Sequence, residues 1–468
     1  MKTPLNVFPV ADKQLNHYVF VHGIANTAPY TGYTSSPVNM YNALVDRVLF
    51  TNHAINPVIG LAAESLLLEW QMAWTERYKA PSPMQMVNPV HPRVPKEKLI
   101  AYTQEAKCLE GVLPRRGGII HKGYYSPLDG QVTAFVKTQK EFPDVALNPE
   151  ELKTPRAINA RNMAGVLTEK RFICEMEDKF YQWKGSDFKN EWCTKGMNPQ
   201  RRAESFLKDA EQFSSPVFFE ADFSRFDAHT HAFWISLFQR FVRYLNTDEL
   251  EEYDAFCRDQ IINRITTYCG VEALSYGRVM SGDASTAVKN VWICKMIHVI
   301  AWRVLKLDGI ALYKAEGDDT VYITDAAGIS LIRKLPEFFL HCGMKLKLSD
   351  PIFDIREIEF CKMKMGRYLP KSDGKYSEWK FCRNPISVLT TAFSSPNYGD
   401  SDAAIRWYVK NVGMGIEVCE AGVPVTSIYG RKARLDAGAK ELEVPDYHKF
   451  GRNEAMYWRL KANQNLSF

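Results

Sequence analysis

Ile310-Ala-Leu-Tyr-Lys-Ala-Glu-Gly-Asp-Asp-Thr-Val-Tyr-Ile323 reads as two short apolar segments, 310–313 and 320–323, folded back through the turn Ala315-Glu-Gly-Asp-Asp319. Both flanks have strand composition, and the central glycine supplies the positive φ that a tight hairpin needs. The turn crowds the carboxylates of Glu316, Asp318 and Asp319. Folding gains nothing from this, because like charges held close raise one another's pKa. A polar hairpin whose aspartates cap their own backbone would explain the residue types without any chemistry. A divalent cation would explain the crowding as well. Hard oxygen ligands at a strand turn suit Mg²⁺, which takes one or two protein carboxylates and fills its other positions with water or substrate phosphate. The turn is therefore a candidate for phosphoryl transfer.

Gly-Asp-Asp by itself is expected by chance in roughly one chain in ten of this length, so the surrounding sequence decides. Upstream, residues 217–221 form a short apolar strand ending at Asp222, and 232–245 carry apolar residues at helical spacing. A second long helix is predicted from an N-cap at Ser281 or Asp283 toward Leu305, burying Ala287, Val291, Met296, Val299 and Val304. Downstream, 328–341 reads as a helix, 344–348 as a strand and 358–365 as part of a further hairpin. The order β-α-α-β-β-α-β predicts an α+β core, an antiparallel sheet backed by helices. Farther upstream, 132–136 reads as a strand running into Lys137, and Pro and Gly clusters at 81–95 and 114–127 mark irregular connections.

A chain of 468 residues with 46% hydrophobic residues is long enough for two or three domains or one multi-lobed enzyme. Its formal charge of +5 permits nucleic-acid binding without identifying it. The 10 cysteines form no Cys-x-x-Cys pair, which favours a reduced setting over a disulfide framework. The first 13 residues lack a signal-peptide core, and no apolar window reaches membrane-span length. The expectation is a protein with no transmembrane segment of its own.

Three further sets of residues carry candidate chemistry. Asp222 and Asp227 lie five residues apart in Glu220-Ala-Asp-Phe-Ser-Arg-Phe-Asp227, at a strand end and in the turn after it. If that strand pairs beside the Asp318 hairpin, the carboxylates meet at one edge and can hold two metals about 4 Å apart. In Ser281-Gly-Asp-Ala-Ser-Thr-Ala-Val-Lys-Asn290, Thr286 and Asn290 share one helix face and, with Ser281, can hydrogen-bond a sugar hydroxyl. Lys137, Lys140, Arg156 and Arg161 flank the proline-bounded connection 142–155 and suit an incoming triphosphate, arginine as a fork and lysine as a point charge.

Taken together these segments resemble the RNA-directed RNA polymerases of positive-strand RNA viruses, most closely the tombusvirus-like group. Asp222-x-x-x-x-Asp227 resembles polymerase motif A, Ser281-Gly-Asp with Thr286 and Asn290 motif B, and Gly317-Asp-Asp319 motif C, in the family's order. Phe135-Val-Lys-Thr-Gln-Lys140 and Pro155-Arg-Ala-Ile-Asn-Ala-Arg161 resemble the two parts of motif F. Residues 343–351, with Lys347, resemble motif D, and Ile358-Glu-Phe-Cys361 resembles motif E. His17-Tyr-Val-Phe-Val-His22, Val45-Asp-Arg-Val-Leu-Phe50, Lys195-Gly-Met-Asn198, Arg383-Asn-Pro385 and Gly422-Val-Pro-Val425 are similar to flanking segments of the family.

The resemblance implies a right hand. Residues 1–215 would be an N-terminal extension and fingers, 216–230 and 279–366 the palm, 231–278 a fingers insertion, and 367–468 the thumb. It implies that Asp222 and Asp318, assisted by Asp319, hold two Mg²⁺ ions, with Mn²⁺ an acceptable substitute. Asp227, Ser281, Thr286 and Asn290 would read the ribose. Lys137, Lys140, Arg156 and Arg161 would neutralise the triphosphate, and Lys347 would protonate pyrophosphate. Implied partners are RNA template, nascent RNA and NTPs. The family's usual membrane-anchoring region has no counterpart before the polymerase segments, so the expectation is either a separate viral anchoring protein in the host cytoplasm or an origin in a simpler virus. The rival readings are a reverse transcriptase-like polymerase and a non-catalytic RNA-binding protein with the same fold. A DNA-making site needs a bulky gate against the 2′-hydroxyl, whereas Asp227 with Asn290 offers it hydrogen bonds.

Overall fold

Val217, Phe219, Ala221 and Phe223 alternate with Phe218 along a single strand, and the two sets enter two different apolar cores. A strand buried on both faces must lie inside the protein, with layers above and below it. The computed structural model describes residues 44, 54–75, 112–115, 118–121, 130–136, 156–183, 188, 190–246, 250–268, 270–367, 379–392, 402–423 and 425–439. Lys137, Lys140 and the segments at 17–22 and 45–50 lie outside them, as do the irregular connections at 81–95 and 142–155.

The first half of the chain contains helix α1 (Pro57–Thr75), the hairpin β1 (Val112–Arg115) and β2 (Gly118–His121), strands β3 (Val132–Val136) and β4 (Ala157–Arg161), and helices α2 (Met163–Gln182) and α3 (Pro199–Ala210). Strand β5 (Val217–Phe223) leads to helices α4 (Phe226–His229), α5 (Ala232–Leu245) and α6 (Leu250–Ile261), then to strands β6 (Ile262–Thr267) and β7 (Glu272–Tyr276). Helix α7 (Thr286–Leu305) precedes the hairpin β8 (Ala311–Glu316) and β9 (Asp319–Thr324), helices α8 (Ile329–Ile332) and α9 (Leu335–His341), and strand β10 (Leu346–Leu348). Strands β11 (Glu359–Phe360), β12 (Met363–Arg367) and β13 (Trp379–Arg383) and helices α10 (Pro385–Thr391), α11 (Asp402–Cys419) and α12 (Thr426–Asp436) follow.

The central sheet has the order β10-β5-β9-β8 and every pairing in it is antiparallel. One face packs on the long helix α7, where His298 stacks on Tyr313 with ring centroids 4.3 Å apart and meets the Tyr322 hydroxyl at 3.0 Å. Because α7 is buried nearly all round, its apolar residues form no single stripe, as expected for a helix enclosed by protein. The opposite face, through Phe218, Val321 and Ile323, joins α3 and the three-stranded sheet β11-β12-β13. A separate sheet, β4-β3-β6-β7, is mixed, since β3 and β6 run parallel.

The α+β class and the antiparallel core thus match the sequence expectation, with four local differences, the first being that Val304, expected to be buried, is 55% exposed at the end of the long helix. The long helix starts at Thr286 after an N-cap at Ser285, not at Ser281 or Asp283, because the intervening residues fold into turns. The segment 328–341 is two short helices rather than one, and Pro336 opens the second. The strands flanking Gly317 and Asp318 reach farther than 310–313 and 320–323, so only those two residues form the turn. Among the described residues no helix is long and apolar enough to cross a membrane.

Candidate active site

Gly317 has φ +83° with open space around it, so the turn needs glycine for its left-handed backbone and not for room. The turn presents Asp318 to solvent, and the Asp318 carbonyl accepts a long 3.5 Å hydrogen bond from the Phe223 N–H at the end of β5. Asp222 pairs directly with Asp319 on one side and with Lys347 on the other. Residues directly opposite in antiparallel strands point to the same face, so Asp222, Asp319 and Lys347 share one. Asp222 and Asp318, 96 positions apart in the chain, therefore meet at one sheet edge.

The electrostatics bear the signature of crowding. Loss of hydration first, and Asp222 second, hold the Asp318 carboxyl above its ordinary value, against the pull of Arg156 and Lys195. Asp319 is pushed up to about 6, by burial and then by Asp318 and Asp222. A hydrogen bond from Cys361 opposes that shift; Cys361 and Lys362 both have positive φ in the tight β11–β12 turn. The same hairpin is tied to β5 by the Glu359 N–H, which donates to Glu220 Oε1 at 2.6 Å. Glu316 does not join the acids: it is ion-paired with Arg202 and accepts the Thr194 hydroxyl at 3.1 Å. Among the described residues no three Asp, Glu, His or Cys side chains close into a preformed metal cage. The donor set still fits Mg²⁺, because hard carboxylates that repel one another at an exposed edge match an ion that keeps most of its water.

Beside this edge, Asn290 Nδ2 donates to Asp227 Oδ1 at 2.7 Å, while Asn290 Oδ1 is buried with no hydrogen-bond partner. Arg225, at φ 49°, makes the left-handed step that turns the chain from β5 into α4 and sets Asp227 there. Burial lifts the Asp227 carboxyl to about 6, opposed by the Asn290 bond. Asp227 and Asn290, both expected from the sequence to offer hydrogen bonds to a sugar hydroxyl, thus stand side by side and bond to each other. The two hydroxyls predicted to join them are engaged in the turn instead. Thr286 Oγ1 donates to the carbonyls of Met280 and Asp283 at 2.7 and 2.9 Å, and Ser281 Oγ accepts from the Asn159 N–H at 3.0 Å. Gly282 lies so close to β4 that a Cβ would stand 2.6 Å from Ala160 Cα.

Of the basic residues, Arg156 is exposed and near enough to Asp318 to lower its pKa. Arg161 is corrected by the structure: its side chain is fully buried, ion-paired to Asp283 at 2.5 Å and bonded to Asn263 Oδ1 and the Gly130 carbonyl, each at 2.6 Å. A guanidinium spent in this way supports the 280–286 turn and is not open to a triphosphate. Around the same Asp283 lie Lys289, Gln260 and Glu169, none of which sequence reasoning singled out for a role. Each has a polar or charged neighbour in sequence and no spacing that would mark it out. Lys195, quoted above only for its family resemblance, is the other residue missed.

An antiparallel sheet with repelling carboxylates at one edge, an Asp–Asn pair beside them and cations without ion-pair partners among the described residues around them suits metal-assisted chemistry on a phosphorylated substrate. Residues 124–456 match the family model described as viral RNA dependent RNA polymerase, and the chain belongs to that family. The chain is 27% identical over 335 residues to the RNA-directed RNA polymerase of Oat chlorotic stunt virus (isolate United Kingdom), covering 66% of this chain and 42% of that protein. It is 26% identical over 335 residues to the RNA-directed RNA polymerase of Tomato bushy stunt virus (strain Cherry), covering 70% and 38%. A putative RNA-directed RNA polymerase of Barley yellow dwarf virus (isolate PAV) is 26% identical over 351 residues, covering 73% and 38%. The resemblance to the tombusvirus-like group is borne out. The aligned part spans about two-fifths of the length of these curated relatives.

Proposed function

We propose that the chain is an RNA-dependent RNA polymerase that copies a positive-strand viral genome by two-metal-ion nucleotidyl transfer from NTPs. The observation that carries this reading is the register of the central sheet, in which Asp222 stands opposite Asp319 with Asp318 at the adjoining turn. Asp222 and Asp318, assisted by Asp319, are the residues that would hold two Mg²⁺ ions. Bound there, the ions supply an attacking 3′-hydroxyl of lowered pKa and charge neutralisation on the phosphoryl group.

The remaining steps belong to the protein's own side chains. Arg156 pairs with the triphosphate, as Lys137 and Lys140, outside the described residues, are proposed to do. Asp227 and Asn290, bonded to each other, face the ribose, where Asn290 Oδ1, without a partner among the described residues, accepts a hydrogen bond from a ribose hydroxyl. Lys347, exposed beside Asp222, delivers a proton to the departing pyrophosphate. Ser281 and Thr286 act through the turn they close, and Arg161 through Asp283. In this reading the central sheet is the palm, the β4-β3-β6-β7 sheet belongs to the fingers, and α10 to α12 to the thumb. RNA template, nascent RNA and NTPs are the partners. A host-cytoplasmic, membrane-associated setting through a separate viral anchoring protein rests on the family resemblance alone. The Asp227–Asn290 pair favours ribonucleotides over the reverse transcriptase alternative, and the three acids favour chemistry over RNA binding without it.

Incorporation of labelled UMP on poly(A) with Mg²⁺ should fall by about a thousandfold or more in Asp318→Ala. Equal rates in the two proteins would remove the proposed site.

A further inference from the structure

The segment 192–194 lies outside the four named strands of the central sheet yet continues it past β8. The Ala315 N–H donates to the Trp192 carbonyl at 2.8 Å, the Thr194 N–H donates to the Ala315 carbonyl at 3.1 Å, and Cys193 bridges Ala315 in parallel. The Trp192 indole is buried and donates to the Trp183 carbonyl at 3.0 Å. On the other side, the Met197 N–H closes a turn on the Thr194 carbonyl at 3.0 Å through Gly196 at φ 88°, and Asn198 caps α3. Lys195 is thus held from both directions at a sheet edge, one residue beyond the Thr194 hydroxyl that binds Glu316.

The Lys195 charge is unspent. Its side chain is half-buried, and among the described residues it makes no ion pair or side-chain hydrogen bond. Glu316, the acid nearest along the sheet, is taken by Arg202 and Thr194. Because Cys193 bridges Ala315 in parallel, the chain from Cys193 to Lys195 runs toward the same end of the sheet as the Gly317–Asp318 turn. Lys347, likewise without a partner among the described residues, occupies the opposite edge on β10. Two lysines therefore bracket the acids from the two ends of the strand order.

Two polyanions must meet at such acids, the incoming triphosphate and the end of the growing strand. This inference rests on the polymerase reading, which gives Lys347 to the triphosphate side. From the opposite-edge placement of Lys195, its clamped backbone and its free ammonium, we infer that Lys195 holds a phosphodiester of the nascent RNA next to its 3′ end. Lysine suits that task, because a point charge on a flexible stem can release one phosphate and take the next as the strand advances, whereas an arginine fork fixes a bidentate register.

The test uses the full chain, a labelled hairpin RNA primer–template, and the variants Lys195→Gln, Lys195→Arg and, as a charge control, Lys208→Gln on the exposed side of α3. Lys195→Gln should weaken RNA binding several-fold and reduce the slope of log affinity against log salt by about one. Its KM for NTP should stay within twofold, Lys195→Arg should restore affinity, and Lys208→Gln should leave both unchanged. A raised KM for NTP with intact RNA affinity would overturn the assignment in favour of the triphosphate. Unchanged RNA affinity and KM would reduce Lys195 to charge balance for Asp318 and also overturn it. Wild-type protein inactive on poly(A) would instead defeat the polymerase reading, which the RNA-binding arm does not depend on.

Discussion

Two groups of charged side chains lie on either side of Asp227, and they are built in opposite ways. Around Asp283, Arg161, Lys289 and Glu169 have side chains between 0% and 3% exposed, two cations against two anions. Their remaining atoms are bonded as well: Gln260 Nε2 reaches Glu169 at 2.6 Å and Asp283 at 3.2 Å, and the Ser285 N–H donates to Glu169 at 3.0 Å. Around Asp318, three anions stand at an exposed edge, and the cations near them, Arg156, Lys195 and Lys347, make no ion pair with them. A cluster that balances its own charge within the protein is scaffold, since burial is tolerable only when paired and hydrogen-bonded. A cluster that leaves its charges unpaired is open to a ligand.

The same substitution in the two clusters should therefore have opposite consequences. Asp318→Asn should cost about three orders of magnitude or more in UMP incorporation, because it removes a charge proposed to hold the metal. Its urea unfolding midpoint should hold or rise, since a repulsion has gone. An unfolding midpoint that fell sharply would make Asp318 structural and erase the contrast. Asp283→Ala should do the reverse. It strands Arg161 and Lys289 in the interior and should cost about 3–5 kcal/mol of stability by the usual measure of a broken buried pair. Full stability in that variant would mean that the cluster is wetter and looser than its hydrogen bonds indicate.

Between the clusters, Asn290→Ala should cut discrimination between rNTP and dNTP by about tenfold, the worth of one hydrogen bond to a ribose hydroxyl. Incorporation of rNTP should suffer less than the selectivity does. Unchanged selectivity would take the ribose away from the Asp227–Asn290 pair.

The acid edge was largely legible in the sequence, and the paired cluster was not. Asp222, Asp318 and Asp319 sit at the ends of short, nearly continuous apolar runs that read as strands, and the Gly317 turn has a simple backbone reason, so local rules reach them. Asp227 and Asn290 stand 63 positions apart, and their bond could be anticipated only by placing two elements side by side. Arg161 had the right residue type for a phosphate, but its partner lies 122 positions away, and only the packing of β4 against the 280–286 turn decides that it faces inward. Lys289 and Glu169 carry no local signal, because a buried charge is defined by its partners and not by its neighbours in sequence.

Asp227 is the residue that feels both clusters, and its titration gives the smallest and most direct measure of their difference. Burial is the main reason its carboxyl rises from an ordinary 3.8 to about 6, the Asn290 bond opposes the rise, Asp318 and Asp283 add to it, and Lys289 subtracts from it. The sign follows from linkage. An acid whose folded pKa exceeds its unfolded one binds its proton more tightly in the folded state, so its contribution is complete below 3.8 and is lost as pH rises through about 6. Lowering the pH from about 7 to about 5 should then stabilise wild-type protein by roughly 1 kcal/mol relative to Asp227→Asn, which cannot take up that proton. Urea midpoints of the two proteins at both pH values measure the difference directly, and the groups that titrate independently of position 227 cancel in the subtraction. Repeating the pair on an Asp318→Asn background should shrink the effect, because one of the two raising charges has gone. A difference that vanished in the first pair would leave Asp227 hydrated like a surface carboxylate, and the line between the paired cluster and the unpaired one would have to be drawn elsewhere.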